Sequence, residues 1–152
     1  MIEKGATKRF TSKLVKDPYV IAWRMWFDIR YVKTFPRKYF SPPPSVDSAI
    51  ISIQRKEKPL VPYRDYLIFW GLVDYVLHHP NVSIDKALWG VFTVPQIKRL
   101  KRNLKLTNEI PVGALSEQQW GTIYETMVKY VPKFRWPRVR KKKLTYIKHI
   151  KH

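Results

Sequence analysis

Three consecutive prolines, Pro42–Pro44, sit between two segments that alternate apolar and polar residues. This feature constrains the fold most. Proline donates no ladder hydrogen bond, so the triplet cannot lie inside a sheet and favours extended polyproline geometry. Phe27, Ile29, Tyr31 and Phe35 alternate with Asp28, Arg30 and Thr34 on one side of it. Ala49, Ile51 and Ile53 alternate with Ser48, Ser52 and Gln54 on the other. Both read as half-buried strands. The stretch 36–47 must join them, and that is longer than a simple hairpin needs, which points to a working loop. Upstream, Asp17-Pro18 is a helix start, and Tyr19, Ala22, Trp23 and Trp26 supply its apolar face.

Past the linker Arg55–Pro62 the period changes to that of helices. Residues 63–78 place Tyr66, Phe69, Trp70, Val73, Val76 and Leu77 on one stripe, stopped by Pro80. Ser83 is expected to cap a short helix holding Ile84, Ala87, Leu88 and Val91. Thr93 caps another, with Ile97, Leu100 and Leu104 inward and Lys98, Arg99, Lys101, Arg102 and Lys105 outward. Ser116 and Gln119 form a capping box ahead of Trp120, Ile123, Tyr124 and Met127. Short helices with short connections predict a small bundle. The fold class is therefore α/β followed by all-α. Three parts are expected: mixed structure over 1–62, a helical unit over 63–131 and a basic, flexible tail over 132–152.

Charge separates the same three parts. The 152 residues carry 30 Lys+Arg against 11 Asp+Glu, a formal charge of +19. Residues 63–131 are nearly balanced at +2, whereas 1–62 carry +8 and 132–152 carry +9 with no acid. Such an excess predicts an acidic partner, nucleic acid before an anionic membrane. The 45% hydrophobic and 14% aromatic content is too rich for a disordered polycation. With no Cys, thiolate catalysis and Cys-ligated metal sites are excluded. No apolar run approaches the roughly 20 residues that span a bilayer. The N-terminal residues MIEKGATKRF form no signal sequence. A cytoplasmic monomer without membrane or metal is expected.

An inventory for catalysis comes back nearly empty. The glycines, at 5, 71, 90, 113 and 121, are scattered, so no phosphate-binding loop exists. His78 and His79 follow a helix, where a cation suits the dipole, and His149 and His152 lie in the tail. Asp28 and Asp47 could meet across the two strands, but turn or surface roles suit them better. Three features keep a functional reading beside a bland one. The Lys98–Lys105 face is either a solvated surface or a phosphate-contacting helix. The tail is either solubilising charge or, with Phe134, Trp136 and Tyr146 interleaved, an RNA-associated segment. Phe40 is either a staple for its loop or a stacking platform for a base, held stiff by Pro42–Pro44. A DNA-binding helical domain is disfavoured by the balanced charge of the middle block.

The string Arg37-Lys38-Tyr39-Phe40-Ser41-Pro42-Pro43-Pro44-Ser45-Val46-Asp47-Ser48 resembles a motif of the ribosomal RNA adenine dimethyltransferases, F-x-P-x-P-x-V-x-S, which precedes the last strand of their methyltransferase domain. Glu3-Lys4-Gly5-Ala6-Thr7-Lys8-Arg9 resembles the family's E-x-G-x-x-K-R segment. Ala22–Ile29 and the Trp-Pro at 136–137 are similar to the Bacillus-type Erm branch, which confers macrolide–lincosamide–streptogramin B resistance. The resemblance implies the end of a Rossmann-like sheet, then a helical bundle. It implies S-adenosylmethionine-dependent N6-methylation of an adenine in 23S rRNA. Phe40 would stack on the adenine, Pro42 and Pro44 would support that loop, and Lys8 and Arg9 would hold RNA phosphates. Lys98, Arg99, Lys101 and Arg102 would add phosphate contacts. The family's glycine-rich cofactor loop and its N-[IL]-P-Y motif have no match; Asn108-Glu109-Ile110-Pro111-Val112 carries an extra Glu and no Tyr. The chain is thus expected to be N-terminally incomplete, to bind no S-adenosylmethionine alone and to be inactive alone. The alternatives are a non-enzymatic RNA-binding module and a small-subunit rRNA dimethyladenosine transferase.

Overall fold

The computed structural model describes residues 2–3, 15, 17–106 and 109–139. Helix α1 spans Pro18–Trp26 and runs directly into strand β2, Phe27–Phe35; strand β3 is Ser48–Arg55, and a short strand β1 is Ile2–Glu3. Then come α2 (Tyr66–Val76), α3 (Ile84–Ala87), α4 (Val94–Asn103) and α5 (Glu117–Tyr130). The helix ends are set by local chemistry. Asp17 accepts from the Tyr19 N–H with Pro18 in the first turn. Thr93 with Gln96 and Ser116 with Gln119 both close complete capping boxes. Ser83 stands before α3, but its side chain makes no capping hydrogen bond, contrary to the sequence expectation. Its backbone instead bridges to Pro111.

The sheet has the order β1-β3-β2, with β3 central and antiparallel to both neighbours. Ile29 faces Ile53 and Tyr31 faces Ile51, as alternation predicts. A bulge between Tyr31 and Lys33 then shifts the register, so that Thr34 faces Ala49 and Phe35 faces Ser48. Phe35 therefore leaves the face of Ile29 and Tyr31, which the simple alternation assigned to it. The extra residue, Val32, is the cause. Of the two paired strands only Ala49 is fully buried.

The core belongs to the helices, and α1 is part of it. One buried cluster runs from Val15 and α1's Val20, Ile21, Met25 and Trp26 through Val61 to Phe69, Leu72, Val73, Leu88, Leu100, Trp120, Ile123 and Met127. Trp26 is the joint. Its ring meets Phe69 and Tyr63 edge-on, at 5.6 Å each, and its indole N–H donates to the Val61 carbonyl at 2.9 Å. Arg24 pairs with Glu117 at 2.7 Å and ties α1 to α5. At the other end of the hairpin's return strand, the Lys56 N–H donates to the Trp26 carbonyl and its ammonium to the Arg24 carbonyl. The β2–β3 hairpin is thus anchored at its base. At about 3.3 Å per residue it carries its loop roughly 27 Å away.

Residues 137–139, within the expected tail, lie against α2. Trp136 donates its indole N–H to the Val131 carbonyl at 2.8 Å, and Val139 packs on the core. A methyl group on Gly71 would come within 2.6 Å of the Pro137 carbonyl oxygen, so glycine is what permits the approach. Residues 140–152 lie outside the described residues.

Candidate nucleic-acid interface

The loop at the hairpin's far end is latched by one residue. Arg37 opens a 3-10 turn, Arg37–Tyr39, and its backbone N–H donates to Asp47 Oδ1 at 2.9 Å. Its guanidinium donates to the Ser45 carbonyl at 3.2 Å. Asp47 therefore closes the loop and does not meet Asp28, which pairs with Arg30 at 2.7 Å near the hairpin base. That pair holds the Arg30 guanidinium above its usual pKa, first through the hydrogen bond and then through charge. Phe40 ends the 3-10 turn, half-buried, with its N–H on the Arg37 carbonyl. Pro42 and Pro44 follow, exposed, with a cis Ser41–Pro42 bond. Tyr39, which the sequence reading did not single out, is 69% exposed, with the Lys38 ammonium 5.5 Å from its ring centre. Lys33 lies 5.0 Å over Phe35. The loop thus offers aromatic rings beside cations, the pairing that single-stranded nucleic acid uses.

Helix α4 carries the second group. Ile97 and Leu100 are buried, and Lys98, Arg99 and Arg102 are exposed, as the spacing predicts. Lys101 differs. Its ammonium is 2.8 Å from Asp85 Oδ2, and that hydrogen bond raises its pKa. It stays protonated, but its charge is offset by Asp85, which leaves it less available to a phosphate than its neighbours. Lys105 ends the helix in the left-handed region, φ 55°. Helix α4 packs on α3 and α5, whereas the hairpin hangs from α1. Phe40 and the α4 cations are therefore carried by different parts of the molecule. Lys8 and Arg9 lie outside the described residues, as does Asn108. The tail's aromatics also divide. Trp136 is committed to packing, while Phe134 is 81% exposed between Lys133 and Arg135.

Three described glycines offer S-adenosylmethionine no open backbone cradle. Three of the glycines are already crowded by the chain's own atoms: Gly71 by Pro137, Gly90 by the Tyr75 hydroxyl and Gly121 by Leu60. None of these opens a cradle for a cofactor. Among the described residues no group of three His, Asp or Glu could hold a metal, and no helix is long and apolar enough to cross a membrane.

Residues 1–129 match the family model described as ribosomal RNA adenine dimethylase. The chain is 49% identical over 143 residues to an rRNA adenine N-6-methyltransferase of Bacillus licheniformis, covering 94% of this chain and 50% of that protein. It is 48% identical over the same length to the Bacillus anthracis protein of that name, again covering 94% and 50%. The chain thus spans about half the length of the curated relatives it matches. Among solved structures, the 23S rRNA methyltransferase ErmE aligns with a TM-score of 0.68 at 17% identity, over 84% of this chain and 52% of that one. A dimethyladenosine transferase from Plasmodium falciparum aligns at 0.64 and 16% identity, over 86% and 57%. At such identities the likeness is one of fold: the described hairpin and helices form part of an rRNA methyltransferase architecture.

Proposed function

Because the chain belongs to the ribosomal RNA adenine dimethylase family, we propose that it is the substrate side of an Erm-type rRNA adenine N6-methyltransferase. The substrate is an adenine of 23S rRNA, and the consequence is macrolide–lincosamide–streptogramin B resistance. The observation that carries this reading is the latched loop with Phe40 at its turn. An enzyme acting on a base must take it out of the stack, and a fixed aromatic ring repays part of the unstacking. Base–aromatic stacking is worth about 1–3 kcal/mol. Within the folded hairpin, the Arg37–Asp47 latch and Pro42–Pro44 restrict the backbone around the ring, which lowers the ordering cost inside the loop itself. Lys98, Arg99 and Arg102 hold phosphates without reading sequence, with Lys101 sharing its charge with Asp85. Lys8 and Arg9 are assigned the same task from the family motif. Residues 1–62 then belong to the methyltransferase domain, 63–131 to a helical RNA-side unit and 132–152 to a basic extension. The setting is a cytoplasmic monomer. S-adenosylmethionine is the family's methyl donor, and no described residue is assigned to it.

The test is a chimera in which these 152 residues replace the matching half of the Bacillus licheniformis relative. Labelled methyl groups should enter 23S and not 16S rRNA. Phe40→Ala should lower kcat/KM by about tenfold to a hundredfold, the equivalent of one lost stack. Methylation of 16S rRNA would move the chain to the small-subunit branch. RNA binding without any methylation would leave the non-enzymatic RNA-binding reading.

A further inference from the structure

A cavity of about 540 Å³ lies at the C-terminal end of α2, away from the hairpin and its loop. Its walls come from three stretches distant in sequence: the end of α2 with the turn after it, α3, and the segment laid across α2 at Arg138. It combines two kinds of lining. Val76, Val82 and Ala87 give an apolar wall, and Tyr75 stands beside them. The Tyr75 hydroxyl donates to the Trp89 carbonyl at 2.6 Å, which fixes its ring. The rest is polar: the cations Lys86 and Arg138, and the imidazoles of His78 and His79, whose ring centres are 4.8 Å apart. Asp74 is the acid in the wall, 6% exposed and already engaged within the chain.

This volume falls within the range of small-molecule pockets and is far larger than one phosphate requires. An apolar wall with an aromatic ring suits a planar heterocycle. A guanidinium and an ammonium suit a phosphate. We propose that this cavity binds a nucleoside monophosphate unit, with Lys86 and Arg138 on the phosphate and Tyr75 and Val82 against the base. The unit is supplied either as a free nucleotide or as one unstacked residue of an RNA strand. The site stands apart from the Phe40 loop and needs no methyl transfer.

The 152-residue chain is titrated calorimetrically with AMP, UMP, hexauridylate and inorganic phosphate. The variants are Lys86→Glu and Arg138→Glu, with Lys58→Glu as an exposed control of equal charge change and circular dichroism to confirm folding. Loss of one charge-assisted phosphate contact should weaken binding about tenfold in each cavity variant and leave the control near the parent. That pattern with AMP or UMP assigns a free nucleotide; that pattern with hexauridylate alone assigns a strand. Three results overturn the proposal: no nucleotide binding, equal losses in cavity and control variants, or inorganic phosphate binding as tightly as the nucleotides.

Discussion

Tyr124 shows what one hydrogen bond does in this core. Its hydroxyl donates to Asp65 Oδ2 at 2.7 Å, linking α5 to the turn that starts α2, while its ring meets Phe69 edge-on at 5.9 Å. Burial and then the Asp65 hydrogen bond push the phenol well above its usual pKa near 10. The folded state thus holds this proton more tightly than the unfolded chain. The stabilisation is complete below about pH 10 and is lost as pH rises further, because only the unfolded chain then ionises. Tyr124→Phe keeps the ring and removes the bond, so it should cost about 1.5–3 kcal/mol at pH 7, the range for a bond to a charged group. Urea unfolding at pH 7 and near pH 11 checks both parts: the parent should lose stability between the two, and the variant should lose less. The inward position of Tyr124 was legible from its spacing with Trp120, Ile123 and Met127. Its partner was not, because Asp65 lies 59 residues away and no local pattern connects them. The same holds at the loop. Phe40 and the prolines stood out in the sequence, whereas the Arg37–Asp47 latch spans ten residues that the sequence leaves unpaired.

At the scale of elements, the helices followed their signals where caps and stripes agreed. Thr93 with Gln96 and Ser116 with Gln119 start α4 and α5 as local chemistry dictates. The sequence could not say why α2 carries a glycine in its middle. Glycine there weakens a helix by roughly 0.8–1.0 kcal/mol relative to alanine. The reason is tertiary: a Cβ at position 71 would sit 2.6 Å from the Pro137 carbonyl oxygen. That neighbour is backbone and cannot turn aside. Gly71→Ala therefore sets a propensity gain of up to about 1 kcal/mol against an overpacking penalty of typically 1–3 kcal/mol, and the penalty should win. The variant should melt lower than the parent, and trypsin should cleave at Arg138 sooner as the 137–139 segment lifts. A variant that melts higher would mean the segment moves at little cost. The strand pattern failed for an equally physical reason, since Val32 is inserted as a bulge and period-2 counting has no means to register it.

Across the whole molecule, burial is divided unequally. The helical cluster includes α1 and crosses the linker at Val61, so α1 and α2 should open together although they flank the hairpin in sequence. The hairpin between them is thinly covered: Tyr31 is 51% exposed, Val32 56% and Ile53 49%. A few paired strands without a packed face are marginal in water. Local opening free energy follows buried apolar contact. Amide hydrogen exchange should therefore separate two populations. The N–H groups of Ile29 and Ile53 should exchange in a local opening that leaves the helices intact. Those of Phe69, Val73, Ile123 and Met127 should exchange only in global unfolding. The two groups should respond differently to low urea, with the core amides following the global slope and the hairpin amides nearly flat. A single slope for all would mean that the Trp26–Val61 joint transmits core stability to the strands. For the proposed RNA site the distinction matters directly. Independent opening of the hairpin adds a folding cost to adenine capture, because the population with its loop in place sets the apparent affinity. Whatever covers the Tyr31 and Ile53 face would then raise RNA affinity without touching RNA. Lower protection in the hairpin than in α2, together with a rise in that protection when the 152 residues are joined to the matching half of the Bacillus licheniformis relative, is the expected outcome.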